Sequence, residues 1–503
     1  MKRCWCWLAV VVVVAGCKPS GPAPGQTGGG TAAGTAQAPA APKPVPPLPW
    51  NGNPDSGVVI DAQERSLGSA DSVYGDTLRI SPDNDNYAYT QGVERYEVIM
   101  DNYYGNSQRL IGRDFIVVVN GKAGDSYDLA GDTTPVFSPK GNRVAYEAQK
   151  GSKHFVVVDG KRGGAYSDFS GQPIFSANGQ RVAYRAKHDG KWCVVLDDQP
   201  GESYDDAKAP LFSADEKHLA YVATKDGKPC VVLDGVAGPV YEQIGTLVFS
   251  PDGGHSAYVA RQGGQSFVVV DGQPGAAYGS IGTHLVYSAD GQHLAYAAHQ
   301  ESRAFVVADG TAGTGYDQVG VIAYSPDGRH LAYAVKDGNH GLVVRDGQPG
   351  ASFEAIGESL VFSPDGQHLA YTITQGGKPA VVADGVTGPT YDAVGDLVYS
   401  PDSLHLAYAA KQGGEKLVQV DAVSGPTYAA TEGKPVFSQD SQHLAYVARQ
   451  ESGWLIVVDR KAGPAFAAWA EGSALVFDSA NTLHAAVVRH NAVTRLDLTI
   501  AQK

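Results

Sequence analysis

Methionine is almost absent from this chain, with 2 residues in 503, and charged side chains make up only 18%. Helical proteins are rich in Leu, Met, Glu and Lys, so the composition argues against one. Cysteine is nearly as scarce, at 5 residues, two of them (Cys4 and Cys6) within the first seven positions. So few thiols cannot build a disulfide framework. Motifs for common catalysis are missing as well: no Gly-x-Ser-x-Gly elbow, no His-Glu-x-x-His, no Walker loop and no Cys-x-x-Cys. A near miss at Tyr278-Gly279-Ser280-Ile281-Gly282 lacks the first glycine. Positive charge is also short, with 39 basic against 53 acidic residues and a net charge of −14. A surface of that sign repels phosphate backbones, which argues against nucleic acid as a partner.

What the chain has in quantity is glycine, at 62 residues, and a repeat. The serines of successive [Phe/Tyr]-Ser turns are Ser138, Ser176, Ser213, Ser250, Ser288, Ser325, Ser363, Ser400 and Ser438, at spacings of 37 or 38 residues. Weaker units stand before them at Ile80-Ser81-Pro82-Asp83 and after them at Val476-Phe477-Asp478, which makes eleven. Each unit reads as four short strands cut by Pro-Asp-Gly, Gly-Gly and Asp-Gly turns. Four strands leave no room for a helix at this period, and one meander cannot bury a core without its neighbours. The expected fold is therefore all-β: a β-propeller of about eleven four-stranded blades, as one large ring or two packed rings. Residues 57–62 resemble a c or d strand without partners, placed to complete the last blade and remove two exposed edges.

The pattern Phe-Ser-Pro-Asp-Gly-x-x-Leu-Ala-Tyr (362–371, with variants at 249–258 and 324–333) resembles the WD40-like repeat of TolB-type propellers. The resemblance covers the repeat region and implies the fold. Such propellers serve as scaffolds, ligand platforms or gating domains, and this chain lacks the N-terminal α/β domain of TolB itself.

The N-terminus reads as a targeting segment. Met1-Lys2-Arg3 is basic, and Leu8 to Val14 is apolar but too short to span a bilayer. Val14-Ala15-Gly16-Cys17 then resembles a bacterial lipobox, which implies cleavage after residue 16 and lipid on Cys17. Lys18, where an Asp would direct inner-membrane retention, implies the outer membrane, on its periplasmic face or at the cell surface. Residues 17–50 are Gly, Ala and Pro with hardly a large apolar side chain, a composition suited to a disordered tether. Loss of Lys2 and Arg3 leaves 37 basic against 53 acidic residues, a mature charge of −16. Residues 51–503 form the propeller region.

Candidate sites are few. The aspartates of the first turn are replaced by Lys140 and Asn178 in two units. Turn chemistry tolerates that and metal binding does not, so no metal or cofactor is expected. Seven of the 14 histidines stand five residues after the marker serine: His218, His255, His293, His330, His368, His405 and His443. They read either as a solvated column, since Asn86, Arg143 and Arg181 fill the same place, or as a pH-sensitive belt. Cys193 and Cys230 lie 37 residues apart in a column otherwise held by Phe and Leu, and read as buried small hydrophobes. One aromatic per unit, from Tyr127 to Phe466, reads as packing. The spacing from Ser81 to Ser138, at 57 residues, signals an insertion near 96–115. Its Tyr103, Tyr104, Arg109 and Arg113 are residue types that anchor interfaces. The resulting expectation is a non-catalytic envelope lipoprotein whose propeller is a protein-interaction scaffold. A glycan or small-molecule platform in the channel is the alternative, and an enzyme with an unrecognised site the third.

Overall fold

The computed structural model describes residues 58–69, 77–101, 105–130, 134–470, 473–489 and 492–502. These residues hold no helix, and their strands form eleven antiparallel sheets. Blade 5 shows the pattern: strand a (Gln243–Phe249), b (Ser256–Gln262), c (Gln265–Val270) and d (Gln273–Tyr278), each paired with the next. Strands b and c are the buried ones. Strand b carries an alanine of zero exposure in the same place in blade after blade, as at Ala257, Ala295, Ala332 and Ala370. So small a side chain lets adjacent sheets pack closely at that level. Asp271 and Gly272 both take positive φ (49° and 77°), which gives the c–d hairpin the twist its strands require.

First strands meet at the centre, where Thr246 of blade 5 donates to the Thr283 carbonyl of blade 6 at 2.7 Å. In blades 2 to 4 strand a is split in two, with Pro135, Pro173 and Pro210 just before the second piece. Fourth strands form the exposed outer rim. Several carry a proline there (Pro239, Pro274, Pro349, Pro389, Pro426), which blunts edge-to-edge pairing.

Eleven apolar clusters occupy eleven seams. A representative one joins Ala332 and Val343 of blade 7 to Leu369, Tyr371 and Val382 of blade 8. The series runs to blades 10 and 11, where Ala445 and Ile456 meet Leu483 and Leu496. It then closes, since Ala486 and Val493 of blade 11 pack against Ile80, Tyr87 and Val118 of blade 1. The architecture is therefore one ring of eleven blades rather than two. Its last blade is completed from the N-terminal side: Val58–Ser69 pairs antiparallel with Ala492–Gln502 as strand d, with Ile60 opposite Ile500.

The extra residues of the first unit lengthen its b–c hairpin. Strands Tyr87–Asp101 and Gly105–Val119 each run 15 residues, against 7 and 6 in blade 5. Eight or nine further residues per strand at about 3.3 Å each make roughly 25–30 Å of additional ribbon. Cys193 and Cys230 are both free and buried, in place of larger hydrophobes. The aromatic column packs across seams as edge-to-face pairs, for example Tyr391 with Tyr408 at 6.0 Å and Tyr428 with Tyr446 at 6.0 Å.

The a–b turns stitch neighbouring blades together. A Cβ on Gly291 (φ 75°) would lie 2.4 Å from Oδ1 of Asp252 in the preceding blade, whereas one on Gly310 (φ 76°) meets nothing within 4 Å. Both substitutions carry the same left-handed backbone penalty, of order 1 kcal/mol. Gly291→Ala is expected to lower the urea midpoint clearly more than Gly310→Ala, the difference being the cost of forcing the seam apart.

Candidate functional site

Seven histidines and two arginines form a belt on the face that carries the a–b and c–d turns. Each stands at the start of strand b, beside the aspartate that ends strand c of its own blade. His218 Nδ1 lies 2.6 Å from Asp234 Oδ2, while Asp234 Oδ1 accepts the Leu219 backbone N–H at 2.9 Å. The same pair recurs as His255–Asp271 (2.7 Å), His293–Asp309 (2.8 Å), His330–Asp346 (2.7 Å), His368–Asp384 (2.6 Å), His405–Asp421 (2.8 Å) and His443–Asp459 (2.5 Å). Arg143–Asp159 (2.8 Å) and Arg181–Asp197 (3.2 Å) substitute a guanidinium. One carboxylate thus clamps the backbone with one oxygen and holds a cationic or imidazole side chain with the other.

The held group reaches over the next blade. His218 stacks on Phe249 at 6.4 Å, His293 on Tyr324 at 6.2 Å and His330 on Phe362 at 6.5 Å. Arg143 and Arg181 lie over Phe175 and Phe212 at 5.4 and 5.8 Å. This accounts for the exchange of His and Arg at one position: both are flat, both donate to a carboxylate, and both cover an aromatic ring. The histidines are seam elements, not simply solvated side chains.

The marker serine beside each pair serves the turn. Ser213 Oγ donates to Asp215 Oδ1 at 2.6 Å and accepts the His218 N–H at 3.0 Å. Asn178 takes the aspartate's role in blade 3, accepting from Ser176 Oγ at 2.9 Å. In blade 2, where Lys140 stands, Ser138 donates to Asn142 instead, at 3.1 Å. The Ser250 hydroxyl and the Gly254 N–H hold Asp252 below the usual carboxylate range.

Cys17, Tyr103 and Tyr104 lie outside the described residues. Arg109 and Arg113 fall on the returning strand of the long hairpin, opposite Glu97 and Glu94. Arg113 is exposed, with its Cδ close against Gly92.

The closing seam holds a polar cluster that the repeat does not announce. His484 and Asp497 face each other across strands b and c of blade 11, where blade 10 has Ala445 and Val458. Their ligand atoms and those of Asp478 lie within 4.8 Å of one another. Arg495 supplies the counter-charge, 2.8 Å from Asp497 and 3.9 Å from Asp478, and reaches Asp85 of blade 1 at 2.9 Å. Only blade 11 carries these residues, so a search for columns passes over them.

No family model matches the chain, and no curated protein matches it. Solved structures similar to it include a eukaryotic initiation factor (13% identity, TM-score 0.37), covering 62% of this chain and 93% of that one. TolB from Acinetobacter baumannii is similar at 16% identity and TM-score 0.23, over 52% of this chain and 80% of that one. The Dos1 propeller is similar at 10% identity and TM-score 0.30, over 56% and 90%.

Members of the belt differ in exposure. The His293 side chain is 46% exposed and that of His443 only 7%. His443 also has an acceptor at each nitrogen, Asp459 at Nδ1 and Asn481 Oδ1 at 3.2 Å from Nε2, an arrangement that suits the imidazolium. The hydrogen bond to Asp459 raises its pKa above the ordinary 6.5 against the opposing effect of burial, and Asp271 raises that of His255 likewise. A raised pKa stabilises the fold fully below about 6.5, and that contribution fades as pH rises through the raised value. The urea midpoint is therefore expected to fall between about pH 6 and pH 8, and His443→Gln to flatten the slope. Identical slopes in the two proteins would contradict this.

Proposed function

We propose that this chain is a non-catalytic, lipid-anchored scaffold of the bacterial cell envelope, holding another envelope protein through the long hairpin of blade 1. The observation that carries the reading is the hairpin itself: two 15-residue strands on one blade of an otherwise regular ring. Repeat architectures place such insertions on the working face, and ribbon edges accept partners by strand addition or by side-chain anchors. Tyr103, Tyr104, Arg109 and Arg113 are the anchors proposed here.

Polarity supports the arrangement. The hairpin leaves the face of the b–c connections. Val58 enters strand d of blade 11 opposite Gln502, the end of strand c, and so starts on the opposite face. An anchor on the N-terminal side would thus join the face turned away from the hairpin. Lipid on Cys17 would supply the membrane attachment, most simply at the outer membrane.

Two substitutions test the reading. With a photo-crosslinking residue at Tyr103, one discrete adduct to an envelope protein is expected, and none from Val236, which is 72% exposed on the outer rim. Cys17→Ala should move the protein from the membrane to the soluble fraction. Adducts from the rim but not the hairpin, or membrane retention without Cys17, would each contradict the part of the reading it addresses.

A further inference from the structure

Blade 1 departs from the repeat a second time, on the face opposite the hairpin. Where blades 2 to 10 carry His or Arg with Asp, blade 1 has Asn86 and Asn120. The backbone clamp survives, since Asn120 Oδ1 accepts the Tyr87 N–H at 2.9 Å, and Asn120 Nδ2 donates to Asn86 Oδ1 at 2.7 Å. The pair is nevertheless neutral and short. Asparagine ends two atoms beyond its Cβ, and Asn86 Nδ2 reaches blade 2 at the Gly141 carbonyl, 3.1 Å away. The aromatic residue at that place in blade 2 is Phe137, partly exposed, and among the described residues no ring or guanidinium lies over it.

A cleft of ≈ 360 Å³ opens there between blades 1 and 2, with Asn86, Asn120, Phe137, Asn142 and Arg143 among its walls. At the seam between blades 9 and 10, where Arg460 stands in the place of Gly160, the matching space is ≈ 10 Å³.

The walls have a definite chemistry. Phe137 offers an aromatic face, whose negative quadrupole attracts C–H groups. Each carboxamide both donates and accepts; Asn86 and Asn120 each spend one N–H and one lone pair on Gly141, Tyr87 and each other, which leaves one of each to match a hydroxyl. Asn142 uses its oxygen on Ser138 Oγ and keeps its amide nitrogen to donate. Arg143 is already held by Asp159 at 2.8 Å and by the carbonyls of Gly179 and Gln180, so its charge is compensated, and the other cation of the lining, Lys122, is exposed at the rim where solvent screens it. A flat C–H face ringed by hydroxyls is a sugar ring, and the volume admits one or two of them.

We infer that the seam between blades 1 and 2 binds a neutral pyranose, stacked on Phe137 and hydrogen-bonded by the carboxamides of Asn86, Asn120 and Asn142. This does not depend on the scaffold reading, because the cleft and the hairpin lie on opposite faces.

The test is saturation-transfer NMR on the full chain with methyl glucoside, methyl galactoside and N-acetylglucosamine. Binding of at least one is expected, at a dissociation constant of roughly a millimolar, as for a small neutral ligand. Phe137→Ala should weaken it at least tenfold. The double variant Asn86→His with Asn120→Asp restores the pair of the other blades, should fold at least as stably, and should abolish transfer by covering Phe137. Overturning results are the absence of transfer with all three sugars, or undiminished transfer to the folded double variant.

Discussion

Everything in this structure depends on closure: the eleventh blade must meet the first, in register and without an exposed edge. A meander of four strands buries neither of its faces alone, so each blade is stable only between two others. A row of blades would leave two faces bare, and a ring leaves none. Closure is secured in two ways. Strand Val58–Ser69 completes the last blade with the chain's own N-terminal side, and Ala486 and Val493 pack on Ile80, Tyr87 and Val118. Arg495, bonded to both Asp497 and Asp85, adds a charged tie at the place where other seams are aliphatic. Both carboxylates are 43% exposed although Arg495 is only 13% exposed, so the tie's contribution to stability is modest.

The seam, more than the blade, is the unit of design. An alanine of zero exposure sets the approach of the sheets, an edge-to-face aromatic pair fills the outer level, and a held imidazole or guanidinium covers the turn face. Glycine in the a–b turn admits the preceding blade's aspartate. Where a serine replaces it, the contact becomes a hydrogen bond, from Asp365 N to Ser403 Oγ and from Asp402 N to Ser441 Oγ, each 3.0 Å. These solutions coexist in one ring because each needs only to match its neighbour. Blade 1, where the ring starts, carries both the long hairpin and the neutral asparagine pair, and the two proposals rest on those departures.

Much of the fold was legible in the residues, because an exact period of 37 or 38 carries information no single motif does. Blade number, strand order and the completing N-terminal strand all follow from it. Whether the blades make one ring or two did not follow, because the identity of a seam's two partners is a long-range fact. His–Asp pairing was hidden for a related reason. The Asp-Gly of the c–d turn is explained by turn chemistry alone, and its second role appears only when His218 and Asp234 are seen 2.6 Å apart. His484 and Asp497 escape a reading by columns because they depart from them, and Asn86, visible in the histidine column, gives no sign there of the cleft beside it.

A single closed ring would be seen in face-on class averages of the purified protein by electron cryo-microscopy. One annulus with eleven spokes around a single channel is the predicted image. Two smaller annuli side by side, or an open arc with a gap between the first and last blades, would contradict it.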